Sequence, residues 1–357
     1  MNLMSELVTA ADVESAIEMC FERNWTDGLP VVPPTPHAVE RIIAYLGRDP
    51  QDVIGVIPPR DGVATIETIA INCVMAGCKP EYVPIVIAAL EAVLEERFNI
   101  NAVQTTTHSC APLLMVSGAA VKKLAFNTRE CVFGHGCRPS ATIGRALRLV
   151  LWNIGGGYPR DPCKTTHGHP GYFTFCIAED PDSNPWQSLH VDRGFQSDDT
   201  VVTVTATEGP HLCATGAGLS PAEDVLIVLA DGIARLGGPG IGGGDLVLVL
   251  GPMAARNLAD AGLSKIDVKR ELMRLATWPV RDLQHRRSMP ASHPWHWSRL
   301  VDAHDEEARV PYIRSVENLI ILVAGGWGSK GGITSICPGW GMHGGLTVSK
   351  RVIFPSG

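Results

Sequence analysis

Short β-branched or apolar runs alternate with helical patterns along most of this chain, and no other feature narrows its fold as much. The clearest run is Thr200 to Thr207 (TVVTVTAT), whose β-branched side chains favour a pleated strand. Similar runs predict strands at 113–116, 172–178, 246–250 and 318–324. Apolar residues at helical spacing predict helices at 10–24, 36–46, 65–76, 118–126, 139–153, 221–236, 252–261 and 266–276, and Pro80 opens a further one reaching about residue 96. Between the first two helices, Asn24 to Thr35 carries Pro30, Pro33 and Pro34 and reads as extended chain, because a residue before proline resists the helical region. Strands interleaved with helices predict an α/β protein with mixed sheets layered with helices. A chain of 357 residues allows one large unit or two intimately packed halves. Three regions are expected: an N-terminal helical and extended region over 1–100, an α/β core over 101–276, and over 277–357 a Trp- and His-rich excursion followed by a glycine-rich strand region.

A strand ending in His-x-Cys is read three times. Ala102 to Thr107 (AVQTTT) leads into His108-Ser109-Cys110, Glu130 to Gly134 (ECVFG) into His135-Gly136-Cys137, and Thr200 to Thr207, through Glu208-Gly209-Pro210, into His211-Leu212-Cys213. This suggests a degenerate internal repeat. With 12 His and 10 Cys in the chain, chance supplies roughly 0.3 such pairs, so three call for an explanation. All three fall in loops after expected strands, and ligands bind at the carboxyl ends of strands in open α/β sheets.

Three chemistries suit three such loops. Cys110, Cys137 and Cys213 could hold a [4Fe–4S] cluster and leave one iron open as a Lewis acid. The same three thiolates could hold zinc with a fourth position for water or substrate. Without metal, one cysteine could act as a nucleophile beside its histidine. In the leading reading the three cysteines are ligands, and His108, His135 and His211 serve as acid–base or supporting groups. Arg145, on the helix after Cys137, then holds an anionic part of the substrate. This gives a lyase, hydratase or C–heteroatom-cleaving enzyme acting on a small polar molecule. A thiol-redox enzyme and a non-catalytic metal-binding subunit are the alternatives. Cys20, Cys73, Cys78 and Cys176 lie in apolar patterns and read as core.

Weaker candidates remain. His167 and His169 could bind a metal or simply cap a loop. Gly325 to Gly332, with Lys330, has the makings of a phosphate cradle but lacks the usual spacing. Gly237 to Gly244 reads as a connection. Asp27 in the Trp-Thr-Asp-Gly turn is first a turn former. The excursion over 277–315 holds Trp278, Trp295 and Trp297 with His285, His293, His296 and His304, and suits a lid or an oligomer contact.

A net charge of −7 without a basic cluster argues against nucleic acid. No run of about 18 apolar residues indicates a membrane span. The acidic first 22 residues are unlike an export signal, so a cytoplasmic home is expected, where the 10 cysteines stay unpaired. A chain of this size and composition is expected to form a homo-oligomer.

Trp25 to Thr35 (WTDGLPVVPPT), Ala70 to Cys78 (AINCVMAGC), Pro80-Glu81-Tyr82 and Ala141 to Leu149 (ATIGRALRL) resemble a poorly characterised bacterial family. Its members are often found beside small redox proteins carrying a selenocysteine- or cysteine-Gly-Ser-Cys motif. The likeness covers roughly residues 20–275. It implies a shared pocket and a thiol or seleno redox partner, without fixing a reaction. Relatives carry small or amide residues at the positions of Cys110, Cys137 and Cys213, which implies that the cysteine chemistry is particular to this branch.

Overall fold

The computed structural model describes residues 3–214, 221–236, 244–284, 296–328, 332–341 and 344–355. Helix α1 (Val13–Glu22) starts where the Asp12 side chain accepts the Ser15 N–H, and α2 (Pro36–Leu46) starts on Thr35 with proline in its first turn. The chain between them is extended, as the prolines predict. A hairpin of β1 (Val53–Ile57) and β2 (Gly62–Thr65) leads into α3 (Ile66–Ala76), opened by a reciprocal Thr65–Thr68 cap and closed by Gly77 at φ 85°. Pro80–Tyr82 forms one 3₁₀ turn before α4 (Val83–Val93), which ends short of the expected 96.

Two expected strands are absent. Residues 102–107 fall largely in a helix, α5 (Ile100–Thr105), capped by the Asn99 side chain on the Ala102 N–H. Residues 130–136 are turns, with Cys131 at φ 60° and Gly136 at φ 95°. The β-branched threonines favour a strand only weakly, and over so short a stretch the Asn99 N-cap outweighs that preference. With those strands gone, the threefold strand–His-x-Cys unit is not a structural repeat.

The remaining elements follow the expected alternation. They are β3 (Ala111–Gly118), α6 (Ala120–Lys123), α7 (Arg138–Asn153), β4 (Cys176–Ala178), α8 (Leu189–Asp192), β5 (Thr200–Thr207), β6 (His211–Ala214) and α9 (Ala222–Arg235). After them come β7 (Leu246–Leu250), α10 (Pro252–Asp260), α11 (Lys265–Leu275), β8 (Thr277–Pro279), α12 (Val280–Gln284), β9 (Arg309–Pro311), β10 (Leu319–Val323), β11 (Ile333–Cys337) and β12 (Val348–Arg351).

Two four-stranded mixed sheets form the centre. The first runs β12-β5-β3-β4, with β3 and β4 parallel and the other pairs antiparallel. The second runs β10-β7-β11-β6, with β10 and β7 parallel. Alternate residues of each strand serve two cores, as the strand period of two requires. Leu113 and Met115 meet Val247, Val249, Ile320 and Leu322 between the sheets. Leu114, Val116, Val202 and Val204 face α2, α3, α4 and α7. Leu246, Leu248, Leu250 and Ile321 face α9, α10 and α11. The layers are therefore helix, sheet, sheet, helix. Sheet strands come from both sides of residue 276, since β10, β11 and β12 all follow it. In the 277–315 excursion, Val280, Leu283, Trp297 and Val310 make a small satellite core. His285, His293 and Trp295 lie outside the described residues.

No single helix among the described residues is long and apolar enough to cross a membrane.

Candidate functional site

Strand register builds the centre of the site. In the antiparallel β3–β5 pair, Ala111 stands opposite Thr207, so Cys110 and Glu208, each one step past a strand end, emerge side by side. The chain then turns through Pro210 into β6, and His211 comes back to the same carboxylate. His108 Nε2 lies 3.0 Å from Glu208 Oε1, and His211 Nε2 lies 3.6 Å from Oε2. The carboxylate thus bridges two imidazoles, one on each oxygen. The His108 imidazole at that distance, outweighing burial, holds the Glu208 carboxyl below the usual range, and the His211 charge adds to this.

A second loop is stitched to the first. The Thr166 N–H donates to the Thr107 carbonyl at 3.0 Å, the Gly168 N–H to Ser109 Oγ at 3.0 Å, and the Tyr172 hydroxyl to the Cys110 carbonyl at 2.8 Å. These bonds set Cys163 and Tyr172 beside Cys110. They also bring His169 next to Gly209, where an added Cβ would lie 3.5 Å from the imidazole. His169 Nδ1 accepts the Gly171 N–H at 3.1 Å, while its buried Nε2 has no hydrogen-bond partner. Burial pushes its pKa below the ordinary histidine value, so at neutral pH the ring is uncharged, with its proton on Nε2.

Beneath these loops is a cavity of about 30 Å³, lined by Gln104, Cys110, Arg148, Cys163, Tyr172 and Phe175 among others. Helix α7 supplies its floor through Gly144, Leu147, Arg148 and Leu151, spaced as one helical face. Burial pushes the Cys110 thiol up to about 12, with Glu208 and Cys163 adding to the effect, so it stays protonated at neutral pH. Burial likewise raises the Tyr172 hydroxyl and lowers Arg148. The Arg148 guanidinium sits 5.5 Å from the Trp152 ring centre and 5.9 Å from that of Tyr172, and acts electrostatically on Cys163.

The three His-x-Cys cysteines have separate surroundings. Cys110 lines the cavity. Cys137 caps α7, where its sulfur accepts the Asn127 N–H at 3.1 Å and the Ser140 hydroxyl at 3.4 Å, and it interacts with Cys176 and Tyr82. Cys213, on β6, donates to the Val228 carbonyl at 3.5 Å, and burial followed by the Asp231 charge raises its pKa. Among the described residues, no group of three or more His, Cys, Asp and Glu could hold a metal ion. Cys110, Cys137 and Cys213 are not brought together as one such group.

Of the three histidines, His108 and His211 come together, while His135 is exposed on the 130–136 turn. Arg145 is held by Asp27: its Nε and Nη2 donate to the two carboxylate oxygens at 3.0 and 2.8 Å, and Nη2 also donates to the Leu29 carbonyl. Arg138 donates to the Gly77 carbonyl at the end of α3. The arginine that reaches the cavity is Arg148. Sequence reasoning gave no role to Glu208, Arg148, Cys163, Tyr172 or Gln104. A signal existed for two of them. Glu208 lies three residues before His211 in the same loop, and Arg148 shares the small-residue face of Gly144. Cys20, Cys73, Cys78 and Cys176 are buried, as read. Part of the Gly325–Gly332 segment, 329–331, lies outside the described residues, as does most of Gly237–Gly244.

The chain matches no family model and no curated protein.

Proposed function

We propose that this chain is a thiol-dependent enzyme that cleaves a carbon–heteroatom bond in a small polar substrate held in the Cys110–Cys163 cavity. The observation that carries this reading is the placing of two thiols and an arginine in one cavity beside a carboxylate-bridged pair of histidines. Cys163 is the nucleophile, since it shares the cavity with the Arg148 guanidinium and the two interact electrostatically, whereas burial keeps Cys110 as a thiol. Its sulfur bonds to the substrate carbon as the heteroatom leaves with the electron pair, and the leaving group takes a proton from the His108–Glu208–His211 array. Water, giving a proton back to that same array, then attacks the substrate carbon, and the carbon–sulfur bond breaks with the electron pair returning to the Cys163 thiolate. The 10 cysteines are all free, which suits the reducing cytoplasm.

Two thiols on one cavity also favour a second reading, dithiol exchange with a small redox protein. In that reaction Cys110 and Cys163 become a disulfide and their two electrons and two protons reduce the partner's disulfide.

Peptide-mapped alkylation with iodoacetamide at neutral pH tests the main reading, with the exposed Cys131 as an internal reference. Cys163 should react faster than Cys131 despite its lower exposure, and Arg148→Gln should remove the advantage. Slower reaction at Cys163, unchanged by Arg148→Gln, would remove the reading.

A further inference from the structure

We infer that the cavity takes a small anion that also carries a hydrogen-bond donor, of the size and chemistry of a two-carbon hydroxy acid. Its charge lies on Arg148 and its donor on the side-chain oxygen of Gln104. The inference deepens the proposed function and rests on that cavity being the substrate site.

Gln104 supplies the first observation. It is 5% exposed and lines the cavity. Its Nε2 donates to the Pro58 carbonyl at 2.6 Å, which fixes the amide orientation, and its buried Oε1 receives no hydrogen bond. A buried acceptor without a donor costs about 1–3 kcal/mol, so such a group in a cavity wall marks where a ligand donor belongs.

Arg148 supplies the second. Nη2 donates to the Gly157 carbonyl at 3.0 Å, and the ring faces of Trp152 and Tyr172 flank the head. Among the described residues no carboxylate pairs with it. Asp27 acts on it only electrostatically and is already held by Arg145. A guanidinium pushed down by burial and left without a counter-ion is matched by a planar anion, which it can bind through two parallel N–H bonds.

Both heads meet at Gly157. Its carbonyl holds Arg148, and a Cβ on it would come within 2.1 Å of Gln104 Oε1. Gln104 and Arg148 both line the cavity, so one compact molecule within it can reach the acceptor and the cation. A cavity of about 30 Å³ admits only a compact ligand, which excludes sugars and nucleotides. A carboxylate on Arg148 with a hydroxyl on the neighbouring carbon toward Oε1 satisfies both groups and leaves the reacting carbon near the thiols.

Calorimetric titration of the whole chain with glycolate, acetate and glycolamide tests this without any substitution. Glycolate should bind roughly tenfold tighter than acetate, which lacks the donor, and than glycolamide, which lacks the charge. Gln104→Leu should reduce glycolate to the acetate level, and Arg148→Gln should abolish binding of both acids. Equal affinities, or no binding of any of the three at millimolar concentration, would overturn the inference and leave the Oε1 site to water. Selective glycolate binding with slow Cys163 alkylation supports the ligand class while removing the thiol reading. Fast alkylation without selectivity overturns the ligand class alone.

Discussion

His108 Nε2 and Glu208 Oε1, a hundred residues apart in sequence, lie 3.0 Å from each other because Ala111 pairs with Thr207. The contact lowers the Glu208 carboxyl below its ordinary value. A depressed carboxyl contributes stability that is present above its unfolded pKa and is lost as pH falls through the folded one. Glu208→Gln should therefore cost about 1 kcal/mol at pH 6, a modest figure because the carboxylate is partly solvated. Urea unfolding of both proteins should converge below pH 3. A difference that persists there would show that the pair does not act through charge.

Glu179 should behave in the opposite sense. It is 2% exposed, and burial raises its carboxyl to about 7 against the attraction of Lys265 and two hydrogen bonds from the Leu189 N–H. The native state then binds a proton more tightly than the unfolded chain, so stability falls as pH rises from about 4.5 to 7. The loss is on the order of 3 kcal/mol. Glu179→Gln, which imitates the protonated acid, should flatten this slope in urea melts at pH 5 and pH 8. An unaltered slope would assign it elsewhere.

The bidentate Asp27–Arg145 pair, with side chains 3% and 15% exposed, ties the Trp-Thr-Asp-Gly turn to α7. Asp27→Ala should cost about 3 kcal/mol, because it leaves a largely buried guanidinium unpaired. Arg145→Lys should cost nearly as much, since an ammonium lacks the fork. In a double-mutant cycle, Asp27→Ala with Arg145→Ala should cost less than the sum of the two single changes. Strict additivity would contradict a coupled pair.

Gly144 lies where α7 crosses the approach to β4. A Cβ there would meet Thr174 Oγ1 at 2.5 Å and the Phe175 backbone nitrogen at 2.8 Å. Alanine gains about 1 kcal/mol in helix propensity. The overpacking should outweigh that gain, with a net loss of about 1–2 kcal/mol in thermal or urea unfolding. A more stable Gly144→Ala would show that the helix can shift freely.

Metal and acid-labile sulfide analysis of protein purified without oxygen bears on the cysteines. With Cys110, Cys137 and Cys213 in separate surroundings, iron and zinc should both fall well below one per chain. Iron and sulfide near four per chain, with broad absorbance, would mean that the three loops rearrange around a cluster.

Much of the fold was legible because strand and helix periods differ. TVVTVTAT and LVLVL could be read directly, as could the helix at 139–153. The failures share one cause. AVQTTT and ECVFG are short, and local capping and turn bonds decided them, not side-chain pattern. For the site, the His-x-Cys motif picks out the loops of His108 and His211, which the structure brings together, but a motif carries no spatial information about where its cysteines lie. Arg145 and Arg148 are three residues apart on one helix, and only the packing of Asp27 shows which of them is already paired. Cys163 and Gln104 had no periodic signature at all.

β6 carries His211, and among the described residues it pairs with β11 alone, through Ile336 opposite His211. β12 likewise supplies the outer partner of β5. During synthesis, then, the β6 side of β7 and the outer side of β5 stay open until chain far downstream has emerged. The third member of the histidine–carboxylate array is fixed only at that stage. Assembly of the site is in this sense a report that translation has passed β11, and chains stopped before residue 333 should be collected as aggregates, with no folded intermediate.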